Sequence, residues 1–313
     1  MRYGRGLVGV ITTVLLGSGL VPLLAAPASA AAAAVTCTSS SHRALAARLD
    51  HDIDRALRGR VSAVAVGVAD PAQHLQCWLH GSAHFDSASV VKVTILSALL
   101  RKAQEQHRYL SRTEARLARE MITASDNGAA SDLWYDVGRH DFQHFLDLAR
   151  MTRTYPGPGP YWGLTQITAY DETLLLRLLL SKNAVLDTNS RDYVLGLMAQ
   201  VIPAQRWGVP AGAPTSLTVH VKNGWLPLAT HGWRIHSIGA FTGHGGGYSI
   251  VVLTQDNPTM TYGIDTIQAI ARAINRDLNP GARSRVPAAE FSPSWGTPDE
   301  PVPAGADLSA AQS

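Results

Sequence analysis

The sequence predicts an α+β fold, an α/β sandwich in which an antiparallel sheet is covered by the terminal helices and joined to an all-helical block. Three observations predict it. Strand-like runs stand near both ends of the chain, at 61–81 and at 216–257; the stretch between them reads as one helix after another; and an amphipathic helix lies outside each strand group.

The elements follow in order. "SHRALAARLDHDIDRALRGR" (41–60) has apolar residues at helical spacing, with Ser39 to Ser41 as candidate caps. "VSAVAVGVA" reads as a buried strand, "DPAQH" as a turn and "LQCWLHG" as the returning strand of a hairpin. A helix is expected from near Ser89 to about His107, and a shorter one from Ser111 to Thr123, leading into "SDNGAASDLW" and the helix "DFQHFLDLAR". "TYPGPGPYWGLTQ" is a loop by composition. In "TAYDETLLLRLLLSK", Thr168 and Asp171 have the spacing of a capping box, and "NSRDYVLGLMAQ" is a further helix. "SLTVHVKNG", "GWRIHSIGAFTG" and "YSIVVLTQDN" are three strands, and "TYGIDTIQAIARAIN" closes the fold.

The two ends differ from this core. Arg2 and Arg5 precede an apolar run that is broken by Gly and Pro and closes on Ala28-Ser29-Ala30, the pattern of a cleaved secretory signal peptide rather than a retained anchor. The expected domains are therefore a signal peptide at 1–30, a catalytic domain at 31–279 and a disordered Pro- and Ala-rich tail at 280–313. Loss of Arg2 and Arg5 takes the formal charge from +3 to +1. No basic stripe is present, which argues against nucleic acid as a partner. Export to an oxidising compartment, with possible cell-wall association, allows Cys37 and Cys77 to pair; two unpaired buried thiols are the alternative.

Three short motifs carry the chemistry. Ser89-Val90-Val91-Lys92 places a hydroxyl and an amine three residues apart at a helix start, on one face. A serine needs an adjacent base, and a lysine serves as one only if burial or a second cation lowers its pKa. Val90, Val91, Val93 and Ile95 supply the apolar surroundings. Ser87 lies five residues before Lys92 and does not share that turn. Ser125-Asp126-Asn127 follows a helix, where a plain helix cap is the simpler reading. Lys222-Asn223-Gly224 sits on a strand, where the glycine permits close approach of another backbone.

In this order the three motifs resemble the S-x-x-K, S-D-N and K-T-G set of class A β-lactamases and penicillin-binding proteins. The resemblance runs from about Leu45 to Asn275 and implies a β-lactamase/transpeptidase-like fold. It further implies Ser89 as acylated nucleophile, Lys92 as its base and Ser125 as proton relay to the leaving group. Asn127 would hold the substrate's amide side chain, and Lys222 would attract its carboxylate and keep Lys92 neutral. Asn223, Gly224 and Trp225 would line the substrate site, with the backbone amides of Ser89 and Trp225 as oxyanion hole.

Three departures stand out. K-T-G is K-N-G, with Asn223 still able to donate to a carboxylate. The segment between Ser89 and Ser125 is shorter than in the class A enzymes, which predicts a more open cleft. The stretch corresponding to the Ω-loop, Leu148 to Tyr170, contains no Asp and no Glu. Asp171 and Glu172 come next, in the first turn of a helix, where they read as cap and dipole partners, with Glu172 as the missing water-activating base the alternative. Tyr155, Tyr161 and Gln166 are the remaining candidates for holding a water.

The sequence thus points to a secreted, monomeric serine hydrolase that needs no metal or other cofactor. It would form an acyl-enzyme on Ser89 with β-lactams or with related amides, esters or cell-wall peptides, with slow deacylation. The alternative is a penicillin-interacting or D-alanyl-peptide-binding protein without efficient turnover; a cell-wall domain without chemistry is disfavoured by the motif set. His140 and His144 have a zinc-like spacing but read as an exposed helix face. "GHGGGY" (243–248) lies between strands and reads as a hairpin turn rather than a phosphate loop. Trp207, Trp225 and Trp233 either line the cleft mouth or pack.

Overall fold

The computed structural model describes residues 34–243 and 246–284, together with positions 1 and 4. The chain divides into Met1–Ala32 and Ala33–Ser313, and all elements named below belong to the second unit. Most of the expected signal peptide and the expected tail beyond Ser284 lie outside the described residues. The first residues of that tail do not: Thr215 N donates to Arg283 O, and Ser284 pairs with Pro214, so the ordered chain runs past the expected boundary at 279.

One six-stranded sheet organises the molecule. Its strands are β1 (Thr36–Ser39), β2 (Ala63–Asp70), β3 (Leu75–Leu79), β6 (Thr218–Leu228), β7 (Gly232–Gly243) and β8 (Gly246–Asn257), in the order β1-β3-β2-β8-β7-β6. Every neighbouring pair is antiparallel. β4 (Phe85–Asp86) and β5 (Gln166–Ile167) form a separate two-stranded ladder. The strands from the two ends of the chain meet at β2–β8, as their apolar character requires: β2 is buried from Val64 to Asp70 and β8 from Ser249 to Thr254. β1 was not expected. Four polar-to-small residues carry no strand pattern, and what fixes them is Cys37, which faces Cys77 across the β1–β3 ladder and is bonded to it.

α1 (Arg43–Leu57) and α7 (Met260–Leu278) pack together on one side, α7 against β7 and β8. The block of α2 (Lys92–Glu105), α3 (Arg112–Thr123), α4 (Asn127–Ala149), α5 (Ala169–Leu180) and α6 (Thr188–Ala199) includes α5 on β2 and β8 and α6 on β6. Local chemistry sets the boundaries. α3 opens with a capping box in which the Ser111 hydroxyl accepts from Glu114 N and the Glu114 carboxylate accepts from Ser111 N. α4 joins the two segments expected separately and bends at Gly138, whose φ of 69° is left-handed. Two expected caps differ. His42, not a serine, is the N-cap of α1; Ser39 Oγ instead accepts from His42 N and braces the turn before it. At α5, Thr168 caps Asp171 N, but the Asp171 carboxylate turns away to Arg153 N and Thr154 Oγ1, so no reciprocal box forms.

Candidate active site

The Ser89 segment begins with a 3-10 turn, Ala88–Val91, which passes directly into α2 at Lys92. Ala88 has a φ of 46°, a left-handed conformation that costs a non-glycine residue energy and turns the chain sharply before the serine. Val90, Val91, Val93 and Ile95 are fully buried, and the same packing takes Lys92 out of water. Ser125 also has positive φ, 61°, and ends the loop between α3 and α4 with its hydroxyl facing inward. Asp126 is the true helix cap, accepting from Ala129 N at 2.7 Å. The cap reading of S-D-N thus holds for Asp126, while Ser125 turns its hydroxyl toward the two lysines.

The two lysines converge on Ser125. Lys92 Nζ donates to Ser125 O at 2.6 Å, to Ser125 Oγ at 3.2 Å and to Asn127 Oδ1 at 2.7 Å. Lys222 Nζ donates to the same Ser125 Oγ at 2.9 Å and to Asn223 O at 2.9 Å. Both lysines have no exposed surface. Burial, reinforced by the Lys222 charge and opposed by Asp126, drives the Lys92 pKa well below that of a free lysine. Burial brings Lys222 down to about 7. Near neutral pH one of the two amines can therefore be uncharged, which is what a lysine base requires.

Gly224 lies two residues beyond Lys222 on β6 and so points to the same side. A β-carbon there would lie 2.9 Å from Ser89 N, 3.0 Å from Val90 N and 3.1 Å from Ser87 O, so only glycine lets β6 approach this turn. Asn223 points the other way. Its amide donates to Gln205 O at 2.8 Å and to Trp207 O at 3.0 Å, and the residue is fully buried. The expected hydrogen bond from the Asn223 side chain to a substrate carboxylate is therefore corrected: strand alternation sends that amide to the 205–207 loop. Trp225 is half-buried and packs near Trp207, ring centroids 6.2 Å apart, whereas Trp233 is a core residue.

The acid-free stretch before α5 covers the site. Its turn at Trp162–Leu164 lies against the nucleophile segment, with Ser87 N donating to Thr165 O at 2.8 Å and Ser87 Oγ to Gly163 O at 3.3 Å. Ser89 is only 4% exposed, so the short segment before Ser125 does not leave the serine itself bare. Trp162 stacks its ring over Lys92, 4.7 Å from Nζ to the centroid. Asp171 and Glu172 are not among the hydrogen-bond acceptors of Lys92. Glu172 is not a surface dipole partner either: it is fully buried, and burial raises its pKa well above the carboxylate range. Tyr155 and Tyr161 are about half exposed, and Gln166 is engaged with Asp86 and Leu164 O.

Sequence reading missed two features here. One is Trp162 itself. The other is Asp86, whose carboxylate pairs with Arg234 Nε at 2.8 Å and accepts from Gln166, while its carbonyl accepts from His236 Nε2 at 2.8 Å. This network ties the residues before Ser89 to β5 and β7. No local pattern announces a partner 148 positions away. A bulky tryptophan in an otherwise Gly- and Pro-rich loop was the visible signal for the first.

His140 and His144 lie outside this cluster; His144 Nε2 meets Glu105 Oε1 at 2.9 Å, and among the described residues no group of three or more His, Cys, Asp or Glu could hold a metal ion. A cavity of about 650 Å³ at the far end of α2, lined by Leu100, Arg108, Tyr109 and Tyr193 among others, shares no residue with it. No helix among the described residues is long and apolar enough to cross a membrane.

The mixed architecture of antiparallel sheet and helices is that of the β-lactamase fold. A model of the beta-lactamase enzyme family matches residues 110–278, more than half of the chain, and the chain belongs to that family. The matched part holds Ser125, Asn127 and Lys222; Ser89 and Lys92 precede it. Among solved structures, the TLA-1 extended-spectrum β-lactamase superposes with a TM-score of 0.65 at 17% identity, over 74% of this chain and 98% of that one. A class A β-lactamase from Bacteroides cellulosilyticus DSM 14838 gives 0.65 and 17% over 74% and 98%, and PBP-A gives 0.64 and 17% over 74% and 96%. At such identities the likeness is one of fold. No curated protein matches the chain.

Proposed function

We propose that the protein is an exported serine hydrolase that opens β-lactams, or related amides and esters, through an acyl-enzyme on Ser89 that water discharges slowly. The observation that carries this is the convergence of two fully buried lysines on the Ser125 hydroxyl. In acylation, neutral Lys92 takes the Ser89 Oγ proton as Oγ bonds to the carbonyl carbon. The carbon–nitrogen bond then breaks, and the departing nitrogen receives its proton through Ser125, which recovers one from a lysine. Lys222 supplies the charge that draws a substrate carboxylate, and Asn127 faces the acyl side chain. The backbone amides of Ser89 and Trp225 hold the oxyanion, each such donor contributing about 3 to 4 kcal/mol in the transition state.

Slow discharge rests on what surrounds Lys92: its hydrogen-bond acceptors are a carbonyl, a hydroxyl and an amide oxygen, and no carboxylate is among them. Export rests on the amino-terminal pattern and agrees with the Cys37–Cys77 bond. The test is labelling with a fluorescent penicillin. The label maps to Ser89 and is lost in Ser89→Ala; label retained in that variant assigns the nucleophile elsewhere.

A further inference from the structure

We infer that Trp162 sets the lifetime of the acyl-enzyme by closing Lys92 off from hydrolytic water, an inference that rests on the acyl-enzyme reading above. Among the described residues, three oxygen atoms and one ring lie in hydrogen-bond or stacking range of the Lys92 amine. Ser125 O, Ser125 Oγ and Asn127 Oδ1 accept from it, and the Trp162 ring lies over it at 4.7 Å. The charged groups that act on Lys92 are Lys222 from β6 and Asp126 from the start of α4; the stretch 148–170, which carries the tryptophan, contributes no acid at all.

The indole is fixed rather than loosely placed. Its Nε1 donates to Ser131 Oγ of α4 at 3.1 Å, the backbone carbonyl of Trp162 accepts from Thr165 N at 3.0 Å, and the residue is 6% exposed. Ring face and ring edge are therefore both committed, one to the lysine and the other to α4.

Hydrolysis of the adduct needs a water whose oxygen bonds to the acyl carbon while its proton passes to a base. The Ser89 Oγ–carbon bond then breaks, Oγ takes that proton back and the acid leaves. A water can do this only where it touches both the ester and the base. An apolar ring face over Lys92 gives a water nothing to bond to and no room, because a water fills about 30 Å³ in the liquid and, when buried, needs at least two polar partners. Acylation needs no such space, since the Ser89 hydroxyl is itself the proton donor. Trp162 thus separates the two half-reactions: it leaves bond formation with Ser89 intact and withholds the second nucleophile.

Replacement by phenylalanine keeps an aromatic face but removes about one water's volume and frees Ser131 Oγ as a polar partner. Penicillin labelling followed by intact mass reads both half-reactions in one experiment. For Trp162→Phe, and more strongly for Trp162→Ala, the adduct should disappear at least about tenfold faster, while acylation at its own pH optimum stays within about threefold of the parent and hydration of Lys92 moves only the acid limb upward. A general loosening of the fold would instead slow acylation and leave hydrolysis unaccelerated. An unchanged adduct lifetime in folded Trp162→Phe overturns the inference, as does a lifetime that shortens only in step with lost acylation.

If penicillin labels neither protein, the acyl-enzyme reading fails on its own, and the inference is decided on the free protein. Side-chain hydrogen exchange at Lys92, read by nitrogen NMR, must be faster in Trp162→Phe than in the parent. Equal exchange contradicts the shielding role.

Discussion

Gly224 approaches Ser89 so closely that a β-carbon on it would lie 2.9 Å from the Ser89 amide nitrogen. The contact joins β6 to the turn before α2 and holds in register two motifs that are 135 positions apart in sequence. Gly224→Ala meets backbone atoms on three sides, which cannot swing away as a side chain can. The expected result is a stability loss of about 1–3 kcal/mol from overpacking. A displacement of the serine of under an ångström would lower the acylation rate by about 100-fold. Denaturant melts and penicillin labelling rates measured on the same sample check both.

The lysine pair predicts a pH profile. Acylation needs Lys92 neutral and Lys222 charged. The second-order acylation rate, which reports the free protein, should therefore rise as pH climbs through the strongly lowered Lys92 value and fall again above about 7. Lys222→Ala should abolish the alkaline limb. Because the like charge on Lys222 helps lower Lys92, its removal should also shift the acid limb upward. The variant should lose more rate on carboxylate-bearing substrates than on neutral esters; equal losses contradict the assigned role of Lys222.

The same pair links stability to pH. Lys222 binds its proton more weakly folded than unfolded, so as pH falls from 10.5 toward 7 the unfolded chain takes up protons first and stability declines across that window. Lys222→Met should flatten the decline, as judged by thermal midpoints at pH 7 and pH 10.

The Cys37–Cys77 bond closes a separation of 40 residues and reinforces the β1–β3 ladder. In the chain-entropy treatment a loop of this length stabilises the fold by about 4 kcal/mol. The double variant Cys37→Ser/Cys77→Ser should lose that much in urea unfolding, and reductant should then have no further effect.

Much of the fold was legible because its signals are periodic. The β6, β7 and β8 runs, the Thr168 cap and the closing helix are each written within about fifteen residues. The order of the three motifs also pointed to the grouping that the structure shows, with Lys92 and Lys222 on Ser125 and Gly224 against the Ser89 turn. What escaped is non-local. β1 is reinforced by a covalent bond, Asp86 finds Arg234 across the sheet, and Asn223 differs from its expected role because β6 continues to Leu228 and alternates its faces throughout. Glu172 looked like an ordinary first-turn acid, and only the packing of α5 buries it.

The central claim is covalent chemistry at Ser89 with a long-lived adduct. Intact mass of the purified protein, followed over time after mixing with a penicillin and separately with a chromogenic cephalosporin, tests it most directly. The account predicts a single adduct that accumulates to one equivalent, maps to Ser89 and outlasts the burst of product. A protein mass that never changes while product accumulates steadily, or one that never changes with no product at all, would contradict it.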